Sequence, residues 1–88
     1  MRYSVKNAKA IDNSRLYLEF EDGRRGIYDM SPLLPQGVFR KLCDPDLFRT
    51  VQSDGFTAVW SNGLDIAPEE LYEHCTSVDH MDALPWER

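Results

Sequence analysis

The pair Asn62-Gly63, set between Thr57–Trp60 and Leu64–Ile66, constrains this chain more than any other feature. Asn-Gly tolerates positive φ at both central positions of a two-residue type I′ turn, so it predicts a tight β-hairpin. In that register Ser61 faces Leu64, Trp60 faces Asp65 and Val59 faces Ile66. Val59 and Ile66 then form a cross-strand apolar pair, with Trp60 and Asp65 together on the opposite face. Pro68 ends the ladder because it has no N–H, and it suits the first turn of a helix. Glu69 and Glu70 fall in that first turn, where carboxylates favour the positive helix end. Leu71, Tyr72 and Cys75 supply its inward stripe.

The expected Trp60–Asp65 pair has two readings. A carboxylate beside an aromatic wall can orient a small ligand. Alternatively, Asp65 accepts the indole N–H or caps the following helix, because buried Trp donors find partners and short Asp side chains serve nearby backbone. The structural reading is the more economical of the two.

Two strands precede this unit. Leu16, Leu18 and Phe20 alternate with Arg15, Tyr17, Glu19 and Glu21, the pattern of a half-buried antiparallel strand. In the returning strand Gly26, Tyr28 and Met30 share a phase. A two-residue Asp22-Gly23 loop would set Arg25 and Asp29 against the apolar face. A three-residue loop, Glu21-Asp22-Gly23, pairs Leu16 with Tyr28 and Phe20 with Arg24, and gives Gly23 the left-handed position. Burial favours three residues. Upstream, Tyr3–Ile11 reads as a strand whose apolar phase slips near Lys6-Asn7, the mark of a bulge. Ser31-Pro32 caps a single helical turn, and Val38, Phe39 and Leu42 have the spacing of a short helix. Asp44-Pro45 starts another helix with Leu47, Phe48 and Val51 inward.

At 88 residues the chain makes one domain with a modest core. Residues 1–75 are expected to form it, with 76–88 as a C-terminal extension. No apolar run is long enough for a membrane span, and the N-terminus lacks the pattern of a signal peptide. A cytoplasmic location is expected. Cys43 and Cys75 form no Cys-x-x-Cys motif, and free thiols are expected. The net charge of −5 is uneven: +2 over residues 1–50 and −7 over 51–88. An acidic half repels phosphate backbones and steers basic partners. Direct nucleic-acid binding is not expected.

No Gly-rich phosphate loop or nucleophile elbow is present, so the chain is not expected to be an enzyme. His74, His80, Cys75, Asp79 and Asp82 are metal-ligating types, but their spacing matches no zinc pattern. No metal or other cofactor is expected. Trp86, on the acidic tail, packs on its own domain or meets another chain, and a homodimer built through the tail remains open.

Phe20-Glu21-Asp22-Gly23, Tyr28-Asp29-Met30-Ser31-Pro32-Leu33-Leu34, Asp46-Leu47-Phe48 and Val59–Tyr72 together resemble the small bacterial family called domain of unknown function 2442. The most specific part is Trp60-x-Asn62-Gly63-x-Asp65-x-x-Pro68-x-x-Leu71-Tyr72. Ser61 stands where many members carry proline. The resemblance implies a compact α+β domain, in some members fused to helix-turn-helix domains. It also implies gene neighbourhoods like those of toxin–antitoxin pairs, and it carries no catalytic residues.

The expected fold is therefore α+β: a mainly antiparallel twisted sheet of about five strands with two or three short helices on one face. The expected function is a protein-interaction module, the antitoxin-like or regulatory member of a two-protein unit, whose partner is another small and basic protein. The alternative is a small-molecule sensor with a shallow pocket near Trp60 and Asp65. Candidate binding residues are Trp60, Asp65, Glu69, Glu70, Tyr72 and Glu73.

Overall fold

Leu16, Leu18 and Phe20 build a central strand that buries one whole face. The computed structural model describes residues 3–78. Strand β1 (Val5–Ala10), β2 (Arg15–Phe20) and β3 (Arg25–Asp29) form an antiparallel meander. Val5 pairs with Phe20 but Asn7 with Glu19, so one extra residue, Lys6, sits in β1 as the expected bulge. It lets both Val5 and the later alanines Ala8 and Ala10 reach the core.

The β2–β3 turn has the three-residue form that burial demands. Phe20 N donates to Arg24 O at 2.9 Å and Gly23 N to Phe20 O at 3.0 Å, with Gly23 at φ 92°. Leu16 stands opposite Tyr28, as expected.

After β3, Asp29 Oδ1 accepts from both the N–H and the hydroxyl of Ser31, at 2.9 and 2.6 Å. Residues 31–35 form a hydrogen-bonded turn, opened by the Asp29 side chain, where a capped single helical turn is expected. A 3-10 helix covers Gly37–Cys43 and buries Leu42, while Val38 stays 60% exposed. Helix α1 (Pro45–Phe48) starts as its residues predict: Asp44 Oδ1 accepts from Asp46 N at 3.0 Å, with Pro45 in the first turn.

Strands β4 (Gln52–Ser53) and β5 (Ala58–Val59) form a separate two-stranded sheet. It is stitched to the edge of β1 by Ser53 Oγ donating to Val5 O at 2.6 Å and Val5 N donating to Phe56 O at 3.0 Å. The strands are thus split four and two between two sheets. Helix α2 (Pro68–His74) follows, then β6 (Thr76–Ser77).

Strand β6 adds to the edge of β3. Gly26 pairs with Ser77 and Ile27 with Thr76, and Val78 N donates to Arg25 O at 3.1 Å. The sheet, whose order is β1-β2-β3-β6, thus takes in two residues beyond Cys75. Gly26 makes the approach possible. A Cβ there would lie 2.5 Å from Cys75 Sγ and 3.1 Å from Thr76 O.

The main core lies between the sheet and the short helices. It joins Val5, Leu16, Leu18, Phe20, Tyr28 and Met30 to Leu42, Phe48, Ala58, Trp60, Ile66 and Leu71. The other sheet face is not the open solvent face that alternation predicts. Tyr17 is only 6% exposed there, packed with Val78, Ile11 and Ile27. The tail residues Asp79, His80, Met81, Asp82, Leu84 and Trp86 lie outside the described residues.

Candidate functional site

Thr57–Tyr72 folds as strand, turn, extended return and helix, but not in the two-residue register. Trp60 N donates to Leu64 O and Gly63 N to Trp60 O, both at 2.9 Å. Only Gly63 has positive φ (91°), so Asn62 does not adopt the conformation a type I′ turn requires. Val59 bridges Asp65 rather than Ile66. The physical reason is burial. The three-residue loop keeps Ala58, Trp60, Leu64 and Ile66 in one phase, whereas the two-residue loop would set Asp65 beside Trp60 on the inner face.

The correction separates two of the expected site residues. Trp60 is 3% exposed, and its indole N–H donates to Phe48 O at 3.1 Å, at the end of α1. Its ring lies 6.1 Å from that of Phe48. Asp65 is exposed and receives no bond from the indole. Nor does it cap α2: the N-cap is Ala67, without a side-chain bond. No cavity is found among the described residues, at Trp60 and Asp65 or elsewhere. Thr57, buried, donates its hydroxyl to Ile66 O and ties the return segment to β5.

Helix α2 carries the other four candidates, and the structure sorts them by direction. Leu71 and the C-cap Cys75 point inward and are buried. One flank presents Glu70, whose Oε2 accepts from the Tyr28 hydroxyl at 2.9 Å. Burial, followed by this carboxylate, raises the Tyr28 hydroxyl pKa well above the ordinary tyrosine range. Glu70 also lies 3.7 Å from His74 Nε2, one helical turn on.

The opposite flank presents Tyr72. Its hydroxyl donates to Asp22 Oδ2 in the β2–β3 turn. Its ring meets Phe20 edge-on at 4.9 Å and Tyr3 at 5.0 Å, and the Arg24 guanidinium carbon lies 4.9 Å from the ring centroid. The Tyr72 hydroxyl and the Arg24 backbone N–H hold the Asp22 carboxyl below its ordinary value. That carboxylate in turn raises Tyr72.

The two flanks are mirror arrangements in chemistry. On one, the helix supplies the carboxylate and the sheet the phenol; on the other, the helix supplies the phenol and the turn the carboxylate. Glu70 and Tyr72 are thus used within the domain. Glu69 and Glu73, one turn apart on the outward side, are exposed and make no hydrogen bond or ion pair among the described residues.

Local patterns do not reveal Tyr28, Asp22, Arg24 and Tyr3 as partners of α2. Tyr28 and Asp22 lie 42 and 50 positions from the residues they bind, and no spacing rule reaches that far. No group of three metal-ligating side chains forms among the described residues. Asp79, His80 and Asp82 of the expected histidine set lie outside them. No helix among the described residues is long and apolar enough to cross a membrane.

A family model described as "Protein of unknown function (DUF2442)" matches residues 5–77. No curated protein and no solved structure matches the chain.

Proposed function

The chain belongs to the DUF2442 family of proteins of unknown function, and from that premise we propose that it is a protein-interaction module. It docks a small basic partner on the outward face of α2, as the antitoxin-like or regulatory member of a two-protein unit. One observation carries the proposal. Within a single helix, Glu70 and Tyr72 are bonded to the sheet and its turn, while Glu69 and Glu73 face solvent and bond to no other residue among those described. Exposed carboxylates of this kind contribute little to folding, and they steer and orient an oppositely charged protein. The acidic balance of residues 51–88 adds to the same field. The function proposed is non-catalytic.

The test is co-purification of the chain with the product of the neighbouring gene, followed by native mass spectrometry and titration calorimetry. A salt-sensitive heterocomplex is expected. The double reversal Glu69→Lys with Glu73→Lys should weaken it by roughly tenfold or more, with circular dichroism unchanged and the melting temperature lowered only slightly, because Glu69 lies in the first turn of α2. Glu70 is unsuitable for this purpose because its reversal also strips Tyr28 of its acceptor. A folded chain that captures no partner overturns the proposal, and so does a complex indifferent to the double reversal.

A further inference from the structure

We draw no further inference here: the strongest candidate, the apolar strip of Tyr17, Ile27 and Val78 on the outer face of the four-stranded sheet, carries nothing because nothing in the structure shows what covers it.

Discussion

The turns at 20–24 and 60–64 are the same object in two settings. Each begins on a buried aromatic, Phe20 or Trp60, whose N–H donates to the carbonyl four residues on. Each ends on a left-handed glycine, Gly23 at φ 92° or Gly63 at φ 91°. In each, a short side chain at the third position accepts from the backbone two residues later: Asp22 from Arg24 at 2.9 Å, Asn62 from Leu64 at 3.1 Å. What differs is how each is held. The first is gripped at its rim, by Tyr72 bonding Asp22. The second is held from beneath, by Trp60 bonding Phe48 O, with its rim tied by the Ser61 N–H donating to Thr50 Oγ1 at 3.1 Å. An identical backbone shape, rooted in the core through its aromatic in both cases, therefore says nothing about which further side chains tie the turn to the rest of the domain.

That comparison breaks first at Trp60. Trp60→Ala removes a buried ring and leaves Phe48 O only the longer bond from Val51 N at 3.4 Å, and should cost about 3–5 kcal/mol in urea unfolding. A loss below about 1 kcal/mol would show that the second turn is not held from the core.

The glycines sharpen it next. A Cβ at either would meet nothing within 4 Å, so only backbone conformation is at stake. Gly23→Ala and Gly63→Ala should each cost about 1–2 kcal/mol. The two losses should agree, and clearly unequal values would mean that the two turns are not the same.

The rim contact gives the smallest effect, read best by NMR titration. Asp22 titrates below its ordinary value of 3.8, so its contribution to stability is present above that pH and is lost as pH falls through the folded value. Tyr72 titrates above 10, so its contribution is present below pH 10 and lost as pH rises through its folded value. Across neutral pH the bond is intact. Tyr72→Phe should move the Asp22 pKa upward, yet not fully to 3.8, because the Arg24 N–H still donates. An unmoved Asp22 would sever the first turn from α2.

Why one turn was legible in the sequence and the other was not follows from the same residues. Clean alternation through Leu16, Leu18 and Phe20 set the first register by burial. At the second, Asn62-Gly63 is so strong a type I′ pair that it outweighed the phase of Trp60 and Ile66. Burial again decided, and it turned Asp65 outward. Trp60 and Asp65 share a face only in the two-residue register. Proline-led helix starts at Pro45 and Pro68 were readable because a missing N–H acts locally. The pairing of β6 was not, because Thr76 and Ser77 are exposed and carry no apolar alternation. The acidic helix was legible as composition. Which of its carboxylates are committed to the fold became visible only with Tyr28 and Tyr72 in place.

The close seating of Cys75 against Gly26 has a practical side. Cys43 is exposed and Cys75 is buried, and both are free thiols. A maleimide dye should therefore mark Cys43 in every molecule at once, while Cys75 waits for the end of α2 to lift from the sheet. The chain carries its own handle and its own clock. The slow labelling step, timed with and without a bound partner, reports how tightly the helix is held down.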